Sequence, residues 1–215
     1  MTTLAIMKTR IANEIARDDL TSEIADAITS AIEHYQYKRW WFNEAADVTS
    51  ATVAGQAYYA APATFLDIDT VKCTDSATEW EVTPDSWYAM ESRADPDDED
   101  GRPIHRAEYQ DKHRLWPIPD AVYTLTWTGL IDKAPASDAE AGNPWMTVAE
   151  ILIRQRAKAI VMTDVVKHPM WQQEKAQLAM SGDDCISLME KSALAALNRH
   201  NTRKVTSGRL RPSNW

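Results

Sequence analysis

Three residues of one short segment, His105, Asp111 and His113, are of types that bind metal ions. On a continuous strand their spacing would place all three side chains on the same face. The intervening letters YQDK are instead typical of a hairpin turn, which would separate them, and the pattern supplies no fourth ligand. We therefore interpret the histidines as a surface pair and predict no metal site.

The acidic segment DPDDEDG begins like a calcium-binding loop, with Asp95, Asp97 and Glu99 at alternate positions. Such a loop needs glycine at its sixth position and a bidentate glutamate at its twelfth. Asp100 and Arg106 stand at those two positions. The segment is therefore predicted to be a solvated acidic loop.

No pattern of nucleophiles, phosphate-binding glycines or paired carboxylates predicts catalysis. The six glycines form no phosphate-binding cluster, and there is no G-x-S-x-G motif. Glu79, Glu81 and Glu91 have no spacing specific to acid–base chemistry. We predict no catalytic residue, no bound cofactor and no enzymatic activity.

Charge is distributed unevenly along the chain. The whole sequence has 23 Lys and Arg against 32 Asp and Glu, but residues 198–215 contain five of those cations and no carboxylate. The first 197 residues therefore have 18 cations against 32 anions, a net charge of −14. Nucleic acid is not expected to bind this acidic body tightly, because phosphate contacts need a cationic surface.

The remaining composition predicts a protein that is made in a cytoplasm and does not enter a membrane. No apolar run approaches the roughly 20 residues needed to cross a bilayer, and Lys8 and Arg10 interrupt any apolar signal region. Cys73 and Cys185 have neither metal-binding nor disulfide spacing, so they are interpreted as reduced thiols.

Hydrophobic periodicity predicts two helices near the N-terminus, followed by a β-rich region. The helices are expected over 2–17 and 21–37, because apolar residues recur there every three to four positions. Residues 48–133 are rich in Thr, Val, Tyr and Trp and are broken by turn residues, which favours short strands.

Helical periodicity returns in the last third of the chain. The letters TVAE have capping-box spacing, with Thr147 as the N-cap and Glu150 reaching back. Pro169 is expected in the first turn of the next helix. That helix is predicted to run to Asn198, with a break at Ser181–Gly182–Asp183. The fold class is α+β: a helical bundle (helices over 2–42 and 147–197) with a small antiparallel β-rich lobe over 48–133, together one domain over 1–197.

Three consecutive aromatic residues, Trp40, Trp41 and Phe42, follow the second predicted helix. One interpretation is that they end this helix and fill the core next to it, because aromatic side chains are commonly buried. The other is an exposed aromatic patch at a subunit interface. Both can hold, since only some of three consecutive side chains can face inward.

Four stretches in order resemble the head-to-tail adaptor proteins of tailed bacteriophages, also called head-completion proteins or tail accessory factors. They are AITSAIEHYQYKRWWFNE, TVAGQAYYAAPATFLDIDTVKC, HRLWPIPDAVYTLTWTGLIDKAP and PWMTVAEILIRQRAKAIVMTDVVKHP. The shared features are an aromatic helix end with Phe-Asn-Glu, a T-x-x-G-Q-x-Y-Y-x-x-P hairpin, an R-L-x-P-x-P turn before a Thr-rich strand, and a final helical pair. The resemblance covers residues from about 20 to about 170.

The resemblance implies a structural protein of the virion, located at the head–tail junction and made in the cytoplasm of the bacterial host. Such a protein forms a homo-oligomeric ring, usually a dodecamer, beneath the portal protein. The ring joins the portal to a tail or nozzle protein and continues the DNA channel. The family has no catalytic motif to transfer.

The basic end of the chain, residues 198–215, is predicted to be an extended arm that docks onto the portal. Gly208 and Pro212 disfavour helix, and 18 residues can span up to about 60 Å. Arginine and tryptophan are common at interface hot spots. The candidate portal-binding residues are Arg203, Lys204, Val205, Arg209, Leu210, Arg211 and Trp215. A mobile solubilising tail, or a tail held by charge on its own body, stays open as an alternative.

Acidity of the remaining 197 residues has two interpretations. Acidic residues lining a ring would repel double-stranded DNA, which could then slide through the lumen without specific binding. Alternatively, the charge only keeps the subunit soluble. Two other function classes stay open: a cell-wall hydrolase of a phage particle, and a stand-alone binding module that uses the Trp-rich β region.

Overall fold

A computed structural model describes residues 2–93 and 100–208 of the chain. The fold class is α+β, as predicted, with seven α-helices and eight strands within those residues. The chain divides into a helical unit, Met1–Phe42 with Lys133–Trp215, and a β unit, Asn43–Asp132. The single adaptor domain over residues 1–197 stays a prediction.

The two N-terminal helices form where periodicity predicted them. Helix α1 spans Leu4–Ile15, and its N-cap Thr3 accepts a hydrogen bond from the Ile6 N–H at 3.3 Å. Helix α2 spans Thr21–Gln36. Each buries one apolar stripe, including Met7 and Ile11 in α1, because residues three or four positions apart share a helix face.

The C-terminal third contains four helices and one π-helical segment. Their bounds are α4 Pro144–Thr147, α5 Glu150–Ile160, the π-helical segment Val161–Val165, α6 Pro169–Met180 and α7 Leu188–Gly208. Pro169 lies in the first turn of α6, as predicted. The predicted break at residues 181–183 is confirmed as the start of the connection between α6 and α7.

The predicted capping box at Thr147 is wrong. The N-cap is Asn143, whose Oδ1 accepts from the Trp145 N–H at 3.0 Å, and helix begins there. The Thr147 hydroxyl instead donates to the Asn143 carbonyl at 2.9 Å. Asn143 followed by Pro144 is a better signal for the start of a helix than Thr147. The first N–H groups of a helix have no partner within it, so proline, which has no N–H, loses no hydrogen bond at the first position.

The predicted extended arm is also wrong over residues 198–208, where α7 continues as helix to Gly208. No glycine or proline interrupts the chain between Asn198 and Ser207, so nothing in that stretch breaks a helix. Residues 209–215 of the predicted arm lie outside the described residues.

The β unit contains two four-stranded sheets. The first has the order β1 Glu44–Ala51, β8 Thr124–Ile131, β3 Phe65–Thr74 and β4 Glu79–Glu81. The second has the order β2 Tyr58–Ala60, β7 Lys112–Trp116, β6 His105–Tyr109 and β5 Thr83–Pro84. All pairs are antiparallel except β5 with β6. A short helix, α3, spans Trp87–Arg93.

The hairpin expected in T-x-x-G-Q-x-Y-Y-x-x-P is absent, because β1 pairs with β8 and β2 pairs with β7. The turn itself is present, with Gly55 at φ 77°. Its backbone is held by Tyr59, whose hydroxyl accepts from the Val53 N–H at 3.0 Å and lies 2.8 Å from the Gln56 carbonyl oxygen. The turn therefore passes the chain from one sheet to the other.

Close packing of β3 against β8 depends on Gly129. A Cβ atom added there would lie 2.2 Å from the Asp67 carbonyl oxygen and 2.9 Å from the Ile68 Cα. Gly129→Ala is expected to lower the free energy of unfolding by about 3 kcal/mol, because both obstructing groups are backbone. Urea unfolding measures this loss.

Gly101→Ala is the matched control. Its added Cβ would lie 3.6 Å from Pro117 Cβ, an ordinary contact, so a change below about 0.5 kcal/mol is expected. Equal stability of the two variants would contradict the predicted role of Gly129.

Candidate functional site

The His105, Asp111 and His113 segment forms the predicted hairpin. Strands β6 and β7 are joined by Gln110 and Asp111, which have φ angles of 51° and 59°. His105 pairs with Trp116 and His113 pairs with Glu108. Because side chains alternate along a strand, the two histidines lie on opposite faces of the sheet. The interpretation of a surface histidine pair is therefore wrong, since His113 is also only 1% exposed.

The structure describes only one of the two segments that were considered as metal sites, the one with His105, Asp111 and His113. Within residues 2–93 and 100–208, no group of three His, Cys, Asp or Glu residues could hold a metal ion. Asp95, Asp97 and Glu99 of the predicted acidic loop lie outside the described residues.

The aromatic residues at the end of α2 divide between core and surface. Trp40 is fully buried in the helical unit, and its indole N–H donates to the Tyr35 carbonyl at 3.2 Å. Phe42 is partly buried and lies edge-on to Trp145, with ring centroids 5.0 Å apart. Trp41 is also partly buried. Of the three candidate interface residues, Trp40 is therefore a core residue, and Trp41 and Phe42 are only partly buried.

Helix α7 is attached to this aromatic segment near its C-terminal end. The Asn201 Oδ1 accepts from the Trp41 N–H at 3.1 Å, and the Asn201 Nδ2 donates to the Arg39 carbonyl at 3.0 Å. The His200 ring lies 4.7 Å from the Trp41 ring. The basic part of α7 thus begins directly after a fixed contact with Trp41.

The candidate portal-binding residues are only partly covered by the structure. The backbone of Arg203, Lys204 and Val205 belongs to helix α7. Arg209, Leu210, Arg211 and Trp215 lie outside the described residues. The structure therefore brings the candidate interface residue Trp41 next to the start of the candidate portal-binding segment.

A buried carboxylate, Glu190, connects three helices of the helical unit. Its Oε1 accepts from the Tyr35 hydroxyl of α2 and from the Arg156 guanidinium of α5, each at 2.6 Å. Its Oε2 accepts from the Ile186 N–H, also at 2.6 Å. Glu190 itself is 0% exposed. Burial, and then the hydrogen bond to Glu190, raise the pKa of Tyr35, which keeps this hydroxyl protonated as a donor.

Glu190 also completes the N-terminal cap of α7. The Ser187 Oγ accepts from the Glu190 N–H at 3.2 Å while the Glu190 side chain reaches back to Ile186. Ser187 and Glu190 have the spacing of a capping box, a signal that sequence reasoning missed. Tyr35 and Arg156 could not have been assigned from the sequence, because they lie 155 and 34 residues away.

An apolar groove of about 590 Å³ lies between α5 and α7, and we call it the α5–α7 groove. One side includes Ile151 of α5 and Val148, which lies between α4 and α5, and the α7 side includes Met189, Ala193 and Ala196. Small residues on α7 leave the space that forms the groove. Val148, Ile151 and Met189 are 45%, 56% and 58% exposed, so the described part of the chain leaves these apolar side chains largely uncovered.

The groove reaches the attached end of α7. His200 lines it and also contacts Trp41. Among the side chains that the structure describes, no Lys, Arg, Asp or Glu lines the groove. An apolar surface of this kind, with basic residues immediately beyond it, has the composition expected of a protein–protein contact.

Net charge differs strongly between the two units. The β unit contains 18 Asp and Glu against six Lys and Arg, a net charge of −12. The helical unit contains 14 against 17, a net charge of +3, and residues 198–215 supply five of those cations. The acidity that the sequence showed is therefore a property of the β unit.

Removing the charge of Glu190 is expected to destabilise the helical unit strongly. Glu190→Gln would leave the buried Arg156 guanidinium without its charge partner, which costs about 3–5 kcal/mol. Tyr35→Phe removes one hydrogen bond from the same carboxylate and should cost about 1–2 kcal/mol. Urea unfolding followed by circular dichroism measures both losses.

Asp164→Asn is the control, because Asp164 pairs with Lys175 on the surface, where both side chains are about half exposed. A loss below about 1 kcal/mol is expected there. A loss for Glu190→Gln as small as this would contradict the proposed importance of the buried network.

The helices described here include none that is long and apolar enough to cross a membrane. Comparison with known proteins gives one family: the SU10 adaptor protein family matches residues 2–205. No curated protein matches the chain. The family match extends over nearly the whole chain and confirms the resemblance to phage head-to-tail adaptors. The chain therefore belongs to the SU10 adaptor protein family, and its role is that of a structural adaptor in a phage particle.

Proposed function

We propose that this adaptor forms a ring beneath the portal, joins the portal to the tail or nozzle, and continues the DNA channel. The observation that carries the proposal is the α5–α7 groove, an uncovered apolar surface next to the basic end of α7 in a chain of the adaptor family. Both features suit contacts with other proteins, and neither suits catalysis.

The α5–α7 groove is proposed as a contact between neighbouring subunits. In a ring the contact is heterologous: the groove of each subunit receives a different surface of its neighbour, so one groove for each subunit suffices for closure. Covering the exposed parts of Ile151 and Met189 is favourable by about 25 cal/mol for each Å² removed from water. Trp41 and Phe42, partly buried at the other side of His200, are proposed to extend this contact.

The basic end of α7 and residues 209–215 are proposed as the contact with the portal. Helix over 198–208 makes this arm shorter than a fully extended one, because a helix rises only about 1.5 Å per residue. The Asn201 contacts with Trp41 and Arg39 fix where the arm begins. Arg203 and Lys204 then follow within the next turn of helix.

The β unit is proposed to face the DNA channel or the tail. Its charge of −12 would repel the phosphate backbone, so that DNA passes without specific binding. Mapping charge on an assembled ring tests this part of the proposal, and a neutral or basic lumen would contradict it.

Deleting the arm should separate folding from portal binding. A chain that ends at Asn201 keeps the hydrogen bonds to Trp41 and Arg39, so we expect it to fold and stay soluble. Without residues 202–215 it should no longer co-sediment with portal rings. A second chain ending at Gly208 separates the contribution of the helical part from that of residues 209–215. Unchanged co-sedimentation of the shorter chain would overturn the arm proposal.

A charge placed in the α5–α7 groove should block assembly without unfolding the subunit. Ile151→Asp puts a carboxylate into the apolar contact, whereas its position in the first turn of α5 tolerates an acidic residue. Electron microscopy of the variant mixed with portal should show few or no rings.

Met170→Asp is the matched control, since Met170 is 66% exposed and lies in the first turn of α6, away from the groove. It should assemble as the unmodified chain does. Normal rings with Ile151→Asp would show that the groove is not the subunit contact.

A further inference from the structure

A second, polar pocket lies entirely within the β unit, and we call it the His113 pocket. It has a volume of about 270 Å³ and includes Asp67, Glu108, Asp111, His113 and Phe65 in its lining. The start of β3 supplies Asp67 and Phe65, and the β6–β7 hairpin supplies the other three residues. Within residues 2–92 and 100–202, whose side chains the structure describes, three carboxylates and no Lys or Arg line this pocket.

The hairpin turn explains why Asp111 belongs to the pocket. Gln110 and Asp111 both have positive φ angles, as a two-residue hairpin turn requires. Aspartate tolerates this backbone conformation better than most residues do. The turn brings Asp111 into the lining together with Glu108 and His113, which pair across the two strands.

His113 provides an independent indication of a ligand. The residue is 1% exposed, and its Nδ1 is buried without a hydrogen-bond partner. A buried polar atom without a partner is costly unless something else satisfies it. Burial lowers the pKa of His113, so the imidazole is neutral near pH 7 and one of its nitrogens is an acceptor.

The chemistry of the lining selects a cation that carries hydrogen-bond donors. All three carboxylates and the neutral imidazole accept hydrogen bonds, so an anion or a nucleic-acid phosphate would be repelled. A metal ion needs ligands that converge on one point, and no group of three within the described residues does so. An elongated organic cation with several separate donors can instead bond to each acceptor individually.

Size and shape narrow the choice to one amino-acid side chain. The volume lies just below the range of about 300–1,000 Å³ that is typical for drug-sized ligands. A guanidinium group offers five donors in a planar fork that matches carboxylates, whereas an ammonium group is a compact point charge. Phe65 adds an aromatic ring on which a guanidinium plane can stack.

We propose that the His113 pocket receives an arginine side chain from a basic segment of another structural protein of the particle. Glu108 and Asp111 accept its guanidinium N–H groups, next to the buried His113. The charge of −12 on the β unit attracts such a segment before contact. The proposal rests on the assembly role proposed above only for the source of the arginine.

The test uses an acetylated tetra-arginine amide as the probe and its tetra-citrulline counterpart as a neutral control of the same shape. Calorimetric titration of the full chain should show binding of the arginine peptide and none of the citrulline peptide. The NMR signals of the His113 ring should shift during the titration, because the side chain lines the pocket. Equal binding of the two peptides, or unshifted His113 signals, would overturn the proposal.

Variants distinguish the pocket from general attraction by an acidic surface. Glu108→Gln with Asp111→Asn removes two pocket charges and should weaken binding about tenfold or more. Glu44→Gln with Asp47→Asn removes two exposed charges of β1 from the same unit. This control should weaken binding about twofold or less, since exposed charges are screened by salt. Equal weakening by both pairs would overturn the proposal.

The chain's own basic end is the competing occupant. If that end fills the pocket, a chain ending at Gly208 will bind the peptide markedly more tightly than the full chain, and the proposal of an external partner fails. Equal affinity of the two chains supports it. The Glu108→Gln, Asp111→Asn variant should still co-sediment with portal rings, because the arm is the proposed portal contact. Failure of the pocket proposal can therefore be told apart from failure of the arm proposal.

Discussion

Burial of the Glu190 carboxylate is the constraint on which the helical unit depends. A charge removed from water is costly unless hydrogen bonds and an opposite charge replace its hydration. Tyr35, Arg156 and the Ile186 N–H supply these from two other helices and from the turn before α7. A packing of α2, α5 and α7 that separated Glu190 from these groups would leave its charge buried without partners, which disfavours such a packing.

The proposed contact surface follows from this arrangement. Arg156 lies on α5 and Glu190 on α7, the two helices that form the walls of the α5–α7 groove. Their ion pair fixes the two walls relative to each other at one end. Near the other end, Asn201 and His200 hold α7 against Trp41. Because α7 is held at both ends, this wall of the groove needs little reordering when a partner binds, which lowers the entropic cost of association.

Local signals predicted much of the fold, and long-range pairing accounts for what they missed. Periodicity found α1, α2 and α6 because a helix depends on residues within a few positions of one another. The hairpin expected around Gly55 was wrong because strand partners are chosen by burial across the whole unit: β1 joined β8, some 80 residues away. The arm was predicted to start at Asn198 from its charge, although charge alone does not end a helix.

The candidate sites also contain some features that local sequence predicts and others that depend on residues distant in the sequence. Trp40 could be expected in a core from its residue type, but its sequence neighbours could not show that Trp41 stays partly exposed against α7. The Ser187–Glu190 capping box is local and could have been recognised. The groove could not, because it depends on small residues of α7 facing exposed apolar residues of α5.

Segregation of charge between the two units gives the chain a polarity that suits a connector. The chain leaves the helical unit at Phe42 and returns at Lys133, so 18 of the 32 Asp and Glu lie in one continuous segment, while the cations of residues 198–215 belong to the other unit. A partner with an acidic surface and a partner with basic segments would therefore bind different units of the same subunit. Because like charges repel, each unit disfavours the kind of partner that suits the other unit. An apolar surface such as the α5–α7 groove carries no charge, so it can add affinity to a contact without discriminating between acidic and basic partners. The orientation of this adaptor is thus expected to depend on its charge, and the strength of its contacts on its groove.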